Sequence, residues 1–345
     1  MLGMRHRKMP YICLGEEVVL PVTGRSRGDF DFSIMAVIAH IKGKIAYATL
    51  FPCYGRASHC IDPTQMKCLI INLDRSRDRL AHVTAEFARI GIAFERVAAI
   101  DARDRPDLAE MPQGKKHLRL ADAEIACLLS HQQCWSMIAT GEDAYAAIFE
   151  DDVVFPDKAG ALLADAGWIP ADADIVKLET FFNRTVISRK QVACGHGFSA
   201  SRLHGLHIGT AGYILSRQAA RDLLAATNEI SIPVDHLIFN PRFATSSDKV
   251  IYQLVPALCL QAQFLGDSPV RLPSLLKQER TEEWVASGIG KRRPRPITAK
   301  VRNETRRLTR QIADLFRLRR EMIIPFWYRG RRVRPPHTQR RENAL

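Results

Sequence analysis

The chain has 345 residues, of which 46% are hydrophobic and 25% are charged, and its formal net charge at pH 7 is +13. This composition is typical of a globular protein and is long enough for one large domain or two small ones. The longest apolar runs, near 144–155 and 206–215, are interrupted by charge or glycine. They fall short of the ~20 apolar residues that a membrane-spanning helix needs, which excludes such a helix.

The amino terminus and the cysteines favour a cytoplasmic protein. The first ten residues, MLGMRHRKMP, contain no compact apolar region, so the sequence predicts no secretory signal. Eight cysteines are scattered without CxxC or metal-type spacing, which is typical of free or buried thiols in a reducing compartment.

The positive charge is concentrated in the carboxyl-terminal tail, residues 271–345. The tail contains 21 Lys and Arg against 7 Asp and Glu, whereas the other 270 residues contain 29 basic and 30 acidic residues. The tail therefore carries the whole excess charge and would be the part that meets an anionic surface.

Residues 1–65 have short apolar pieces but no clear period, which predicts a poorly ordered amino-terminal extension. A strong strand pattern begins directly after Met66. This position raises the hypothesis that translation starts at Met66 and that the extension is not native.

Strands and helices alternate from residue 67 onward. In the first helix, Leu80, Val83, Phe87 and Ile90 recur at helical spacing, and Gly91 is placed to end it. This alternation predicts an α/β fold with a mostly parallel sheet. The predicted elements, in chain order, are a strand at 67–73, a helix at 76–90, a strand at 93–100, a helix at 121–140, strands at 144–149 and 174–178, an aperiodic stretch at 181–205, a strand at 206–215 and a helix at 217–226.

Acidic residues directly follow three of these strands: Asp74, the triplet at 150–152, and Glu179. Because ligands bind beyond the carboxyl ends of parallel strands, we expect these acids at one edge of the sheet. The triplet Glu150-Asp151-Asp152 suits Mg²⁺ or Mn²⁺, which takes one or two carboxylates plus substrate phosphates. A solvated acidic turn is the alternative interpretation.

Arginines follow the first strand, in the segment 72–79. Arginines near a helix start suit a diphosphate or a nucleotide, although they could equally pair with neighbouring acids. On the second predicted helix, His131 is either structural or part of a site.

Two segments later in the chain are further candidates. Gly209 and Thr210 interrupt a strand, which indicates either a close approach to a ligand or a simple kink. Asp235 lies near a predicted helix start, where an ionised carboxylate could act as a base or as a cap.

Several common enzyme motifs are missing. No GxGxxG follows the first strand, and no GxxxxGK[ST], HExxH or GxSxG is present. A Rossmann dehydrogenase and a P-loop nucleotidase are therefore disfavoured.

Six segments in order resemble glycosyltransferase family 25, which includes lipopolysaccharide β-1,4-galactosyltransferases and collagen galactosyltransferases. The resemblance covers about residues 66–240. The segments are INLDRSRDR at 71–79, EIACLLSHQQCW at 124–135, AIFEDDVVF at 147–155, KLE at 177–179, GTAGYILSRQAARDLL at 209–224 and PVDH at 233–236.

The resemblance implies a GT-A-type, Rossmann-like α/β sandwich over residues 66–270. It implies a sugar-nucleotide donor, commonly UDP-galactose, an inverting transfer onto a saccharide or lipid-linked acceptor in lipopolysaccharide or cell-surface glycan synthesis, and often Mn²⁺ (or Mg²⁺).

The resemblance also implies roles for individual residues. The metal would be held by Asp152 first, then Asp151, with Glu150 last. The base would be Asp235 in preference to Glu179. The donor would be bound by a group of seven residues: Asn72, Asp74, Arg75, Arg79, His131, Gly209 and Thr210.

The tail at 271–345 has apolar residues at helical spacing over 297–316, interspersed with arginines, and an aromatic segment at 323–328. A basic amphipathic helix followed by Trp and Tyr predicts peripheral attachment to the anionic inner face of the cytoplasmic membrane. A solvated tail is the alternative.

Two other functions remain open at this stage. The basic tail suits a nucleic-acid-binding protein, but the rest of the chain is nearly neutral and the charge lies in an aliphatic-rich segment, so no nucleic-acid partner is expected. A non-enzymatic membrane-binding protein is a variant of this alternative, and the other is a catalytically inactive relative that only binds glycans.

Overall fold

The computed structural model describes residues 65–111, 120–227, 232–265 and 316–334 together with Leu272 and Asp314, and it also gives the backbone of four strands within residues 13–45. The chain divides into two compact units, Met1–Cys60 and Ile61–Leu345.

The first unit contains an antiparallel sheet whose strands are ordered β1-β2-β3-β4. The prediction that residues 1–65 form a poorly ordered extension stays a prediction. The strands are β1 (Cys13–Leu14), β2 (Glu17–Arg25), β3 (Asp31–Ile41) and β4 (Lys44–Ile45).

The second unit alternates strands and helices. Its strands are β5 (Lys67–Asn72), β6 (Glu95–Ala98), β7 (Tyr145–Glu150), β8 (Val153–Val154), β9 (Ile175–Lys177), β10 (Arg184–Ser188), β11 (Val192–Gly195), β12 (Phe198–Arg202), β13 (Gly212–Ser216), β14 (Ile251–Val255), β15 (Leu260–Gln261), β16 (Arg319–Ile323), β17 (Trp327–Tyr328) and β18 (Arg331–Arg332). Its helices are α1 (Arg77–Ile90), α2 (Asp122–Thr140), α3 (Ala159–Leu163), α4 (Arg217–Ala226), α5 (Val234–Phe239) and α6 (Ala244–Ser247), with 3₁₀ turns at Ala102–Asp104, Pro106–Glu110 and Ala262–Phe264.

Two helix ends follow the local rules that the sequence suggested. Helix α1 ends at Gly91, whose φ of 71° is a left-handed conformation that glycine adopts without strain. Helix α4 begins after Ser216, whose hydroxyl accepts the N–H of Ala219 at 3.1 Å.

The central sheet has eight strands in the order β11-β12-β14-β9-β13-β7-β5-β6. The pairs β5–β6, β5–β7 and β9–β14 are parallel, but β13 runs antiparallel to both of its neighbours, β7 and β9. The sheet is therefore mixed, and the prediction of a mostly parallel sheet was wrong in this respect.

Helices cover both faces of the sheet because successive strand residues point to opposite sides. Ile70 and Phe149 pack with Phe87 of α1 on one face, in a cluster that includes α3. Ile148 packs with Trp135 of α2 on the other face, in a cluster that includes α4 and α5.

The orientation of β13 decides what lies at the edge of the sheet where β5 and β7 end. The predicted strand 206–215 is a strand only from Gly212, and the residues before it enter the sheet beside the end of β7. The N–H of Glu150 bonds to the carbonyl of Ala211 at 3.0 Å. We call this edge, with its triplet Glu150–Asp152, the acid edge.

The predicted aperiodic stretch 181–205 contains three strands, β10 to β12. Strand β10 pairs antiparallel with β16, which belongs to the segment 316–334, here called the C-terminal segment. Ile324 and Phe326 of this segment are fully buried in a third apolar cluster.

This packing changes the interpretation of the tail. The aromatic segment 323–328 was predicted to contact a membrane, but Ile324 and Phe326 belong to the protein core. The predicted helix 297–316 lies outside the described residues, apart from Asp314 and Phe316. Within the described part of the chain, no helix is long and apolar enough to cross a bilayer.

Candidate active site

A cavity of about 470 Å³ opens at the acid edge. It is bounded by the ends of β5 and β7, the residues before β13, helix α2 and the start of α5. Ten of the twelve residues predicted from the sequence line it: Asn72, Arg75, Arg79, His131, Glu150, Asp151, Asp152, Gly209, Thr210 and Asp235.

Asp151 is fully engaged by protein groups. One carboxylate oxygen accepts the amide of Asn72 at 2.7 Å. The other accepts Nε and Nη2 of Arg79, at 2.7 and 2.6 Å. Asp151 therefore anchors Arg79, and its predicted role as a metal ligand stays a prediction.

Arg79 also connects the two aspartates. Its Nη2 lies 3.0 Å from Oδ2 of Asp152, and the side chains of all three residues are nearly buried. Burial alone would lower the pKa of Arg79, but the charges of Asp152 and Asp151 outweigh it and raise that pKa. The guanidinium thus compensates a pair of buried carboxylates that would otherwise repel each other.

Asp152 is the carboxylate with a vacant buried oxygen. Its Oδ1 is buried and has no hydrogen-bond partner, although Oδ2 accepts from Arg79. Burial raises the pKa of Asp152 to about 7; Arg79 opposes this increase, whereas Glu150 and Asp151 add to it. An orphaned buried oxygen is costly in a folded protein and indicates a binding partner.

Glu150 is held from several sides. Its Oε1 accepts the hydroxyl of Thr210 at 2.9 Å, and its Oε2 lies 3.4 Å from the amide nitrogen of Gln261. Burial by itself would raise the pKa of Glu150, but His131, Thr210 and Arg79 bring it below its usual value. The carboxylate is therefore charged at neutral pH.

His131 belongs to a buried chain of polar groups. The N–H of Trp135 donates to the hydroxyl oxygen of Tyr213 at 2.7 Å, and that oxygen lies 3.0 Å from Nδ1 of His131. Among the described residues, the buried Nε2 of His131 has no hydrogen-bond partner, and it lies 3.8 Å from Oε1 of Glu150. His131 is thus both a core residue and part of the cavity wall.

The two candidate bases lie in different environments. Asp235 lines the cavity at the start of α5, half-buried, and accepts the N–H of His236 at 2.8 Å. Glu179 is only 2% exposed, does not line the cavity, and is bound by Lys177 at 2.7 Å. Burial raises the pKa of Glu179 to about 7, against the effect of Lys177. Glu179 is thus separated from the cavity lining, and its role as a base stays a prediction.

Asp74 is also not among the residues that line the cavity. It pairs with Arg96, and its side chain is 78% exposed; its role in donor binding stays a prediction. Its neighbour Arg75 lines the cavity and pairs with Asp101, which also accepts the N–H of Arg103 at 3.1 Å.

Sequence reasoning missed four polar residues of the wall: Asp101, Glu124, Ser130 and Gln261. Asp101 follows strand β6 as Asp74 follows β5, so the strand-end rule could have found it. Gln261 lies in a two-residue strand more than a hundred residues after the triplet and carries no local signal.

We tested whether these residues suit the predicted divalent cation. Among the described residues, no group of three or more His, Cys, Asp or Glu side chains is arranged to hold a metal ion. Mg²⁺ and Mn²⁺ nevertheless need only one or two carboxylates when substrate phosphates supply further oxygens. Oδ1 of Asp152, with Glu150 beside it, meets that requirement.

The comparison with known families identifies the class of protein: the chain is a glycosyltransferase. The family model described as "Glycosyltransferase family 25 (LPS biosynthesis protein)" matches residues 65–238, half of the chain. The protein therefore belongs to glycosyltransferase family 25.

Curated relatives agree with this assignment. The chain is 36% identical over 229 residues to the lacto-N-neotetraose biosynthesis glycosyltransferase LgtB of Neisseria meningitidis, covering 61% of this chain and 82% of LgtB. It is 33% identical over 282 residues to LgtB of Neisseria gonorrhoeae, covering 74% and 98%. The lipooligosaccharide biosynthesis protein lic2B of Haemophilus influenzae is 29% identical over 222 residues, covering 61% and 82%.

Proposed function

We propose that this enzyme transfers galactose from UDP-galactose, with inversion, to a saccharide acceptor of lipopolysaccharide or lipooligosaccharide. The names of the relatives, which refer to lacto-N-neotetraose and lipooligosaccharide biosynthesis, support this class of acceptor. The observation on which the proposal depends is the orphaned buried oxygen of Asp152 in the wall of a cavity at the acid edge. A GT-A-type arrangement, in which a sugar nucleotide binds at this edge, is part of the proposal.

The cavity has an apolar part and a polar part that match the two ends of a nucleoside diphosphate sugar. Ile71, Ala99, Ile100 and Ala126 form an apolar wall, which we assign to the nucleoside. The polar lining residues Arg75, His131 and Thr210 are those that we assign to the diphosphate and the sugar. Asn72 and Arg79 act on the donor through the acids that they orient.

Departure of the diphosphate leaves negative charge on its terminal oxygen. A bound Mn²⁺ or Mg²⁺ would supply Lewis-acid neutralisation of this charge. Asp152, through Oδ1, and Glu150 would hold that ion, and Asp152 must be ionised to do so. Arg79 keeps Asp152 near ionisation at neutral pH despite its burial.

Inversion requires a base on the face of the sugar opposite to the diphosphate. Asp235 is the carboxylate that we assign to this role, because it lines the cavity from α5 rather than from the acid edge. The acceptor oxygen bonds to the anomeric carbon, the bond from that carbon to the phosphate oxygen breaks, and the acceptor proton moves to Asp235.

The proposal can be tested with a panel of sugar nucleotides, assayed by hydrolysis and by transfer to lactose-type and glucose-type acceptors, with Mn²⁺ and with EDTA. We expect UDP-galactose to be the preferred donor, with product of inverted configuration by NMR and activity lost in EDTA. Preference for another sugar would overturn the assignment of galactose. A product of retained configuration would overturn the inverting mechanism. Full activity in EDTA would overturn the metal assignment.

We also propose that the enzyme binds an anionic membrane surface from the cytoplasmic side through its C-terminal segment. Large exposed apolar residues support this proposal, since three of the four found among the described residues lie here: Phe316, Leu318 and Trp327, which are 83%, 67% and 38% exposed. The segment contains seven arginines and one acid. Each basic residue near an anionic surface contributes about 1 kcal/mol.

Membrane binding can be tested by co-sedimentation with vesicles of phosphatidylglycerol and of phosphatidylcholine. We expect binding to the anionic vesicles only. This binding should be lost in about 0.5 M salt, because salt screens the attraction between the arginines and the anionic lipids. The double variant Phe316→Ser/Leu318→Ser should bind these vesicles more weakly and should be as stable as the unmodified enzyme. No binding to the anionic vesicles at low salt would contradict the proposal.

A further inference from the structure

We infer that Gln261 is a positioning residue of the active site: its amide bridges Glu150 and Asp152 and thereby fixes the orientation of the Asp152 carboxylate, whose Oδ1 has no hydrogen-bond partner among the described residues. The inference rests on the proposed function, in which that oxygen contacts the ion. Gln261 lies beyond the matched family region, 65–238, so the family comparison does not point to it.

The geometry of the bridge is symmetrical. The amide nitrogen of Gln261 lies 3.4 Å from Oε2 of Glu150 and 3.4 Å from Oδ2 of Asp152. An amide group has two hydrogens, one for each carboxylate. The two acids repel each other, and a shared donor offsets that repulsion at these two oxygens.

The orientation of the amide is set by a second glutamine. Oε1 of Gln261 accepts the amide of Gln263 at 3.0 Å. In the reversed orientation, the amide oxygen of Gln261 would point at two carboxylates. Its amide nitrogen would then point at the amide nitrogen of Gln263, so that two donors would face each other. Gln263 therefore selects the orientation in which the nitrogen of Gln261 faces the acids.

The bridge determines which oxygen of Asp152 is available. Oδ2 accepts from both Arg79 and Gln261, whereas Oδ1 has no partner. With both donors on one oxygen, the carboxylate is fixed in rotation. Hydrogen-bond partners of metal-ligating carboxylates commonly affect metal affinity by 10–100-fold, which sets the size of the expected effect.

The backbone around Gln261 is fixed by the C-terminal segment. Strand β15 pairs with β8, and the N–H of Ala262 bonds to the carbonyl of Asp152 at 2.8 Å. Leu260 and Ala262 are buried in the same cluster as Ile324 and Phe326. The N–H of Ala257 bonds to the carbonyl of Pro325 at 2.9 Å. The C-terminal segment thus supports the strand that carries Gln261.

The decisive variant is Gln261→Met, which keeps the length of the side chain and removes the amide. The matched control is Gln218→Met, since Gln218 is an exposed glutamine on α4 that bonds to Asp222. Calorimetry would measure Mn²⁺ affinity in the presence of UDP, and steady-state kinetics would give kcat and KM. Thermal melts would report folding.

We expect Gln261→Met to fold normally, to bind Mn²⁺ on the order of tenfold more weakly, and to lose kcat more than it raises KM. Gln218→Met should match the unmodified enzyme. Equal Mn²⁺ affinity in Gln261→Met and the unmodified enzyme would overturn the inference.

Crystal structures of the metal-free enzyme and of Gln261→Met separate this inference from the proposed function. We expect the Asp152 carboxylate to rotate in the variant. An unchanged orientation refutes the inference even if the enzyme proves independent of metal. Absence of Mn²⁺ binding by the unmodified enzyme, together with a rotated Asp152, would refute the metal assignment and leave the positioning role supported.

Discussion

The acid edge and the C-terminal segment have similar local sequences but use them in opposite ways. Both place charged residues beside short apolar runs, AIFEDDVVF in the first and EMIIPFWYR in the second. At the acid edge, Asp151 and Asp152 are buried and compensated by Arg79. In the C-terminal segment, Phe326 is buried, whereas Arg331 is exposed.

The difference shows that a charge next to an apolar run does not reveal which of the two is functional. At the acid edge the apolar residues form the sheet and the charges line the cavity. In the C-terminal segment the buried apolar residues Ile324 and Phe326 stabilise the fold, and five of the seven arginines are exposed. Substitution of the cavity-lining acids should therefore affect catalysis, whereas substitution of buried residues in the C-terminal segment should affect stability alone.

The largest effect is expected from Asp235→Asn, which removes the proposed base and keeps the shape of the side chain. Turnover should fall by roughly 10²–10⁴-fold, the usual contribution of general base catalysis. The measurement is kcat for transfer, with the melting temperature as the control for folding. Near-normal transfer by this variant would remove Asp235 from the mechanism.

Asp152→Asn tests the acid edge directly. We expect kcat to fall by roughly 10²–10³-fold, because a neutral amide would hold poorly the divalent ion that offsets the negative charge developing on the leaving group. The matched control is Asp157→Asn, since Asp157 is exposed and pairs with Arg89 outside the cavity. If both variants lost activity equally, the acid edge would have no special role.

Arg79→Met tests the compensation of buried charge. It leaves two buried carboxylates without their shared partner, a change that typically costs 3–5 kcal/mol. Arg184→Met removes an arginine from an exposed pair with Glu321 and should cost about 1 kcal/mol or less. Urea unfolding would measure both. Similar losses in the two variants would contradict the contrast between the regions.

Phe326→Ala tests the role of the C-terminal segment in the core. Removing a fully buried phenylalanine should lower the free energy of unfolding by about 3–5 kcal/mol. Trp327→Ala, at the adjacent and partly exposed position, should have a much smaller effect. A stability loss from Trp327→Ala as large as that from Phe326→Ala would show that the segment is not packed as described.

A further effect is expected on the pH dependence of stability. The pKa of Asp152 is raised from 3.8 to about 7 in the folded protein, so the folded state holds a proton that the unfolded state has lost. The contribution of this group to the free energy of unfolding is therefore fully present below pH ~4 and is lost as the pH rises to about 7.

Asp152→Asn isolates this contribution, because the amide does not titrate. In metal-free buffer, the variant should gain stability relative to the unmodified enzyme as the pH increases from 5 to 8. Melting curves of the two proteins across this range measure the difference, and a constant difference would show that Asp152 does not titrate as described.

Local patterns in the sequence were enough for much of the fold. Helix α1, with Leu80 and Val83 at helical spacing and Gly91 at its end, and helix α4 after Ser216 lie where they were predicted. These elements depend on periodicity and capping, which act over a few residues. The strand-end rule likewise placed Glu150–Asp152 at an edge that lines a cavity.

Other features depended on contacts between distant parts of the chain. The antiparallel course of β13, which brings Thr210 to Glu150, has no local signature. The same holds for the burial of Glu179 and for the position of Gln261. Each of these results from the packing of segments that are far apart in sequence.

The sequence by itself determined the order of strands and helices, the position of the acids after their strands, and the membership in a family, because these reside in short-range patterns and in motifs. Only the tertiary structure decided that Asp152 has the free oxygen, that Asp151 is occupied by Arg79, and that Phe326 is core. The physical reason is that burial and hydrogen-bond partnership are properties of a residue's surroundings, and those surroundings are assembled from the whole chain.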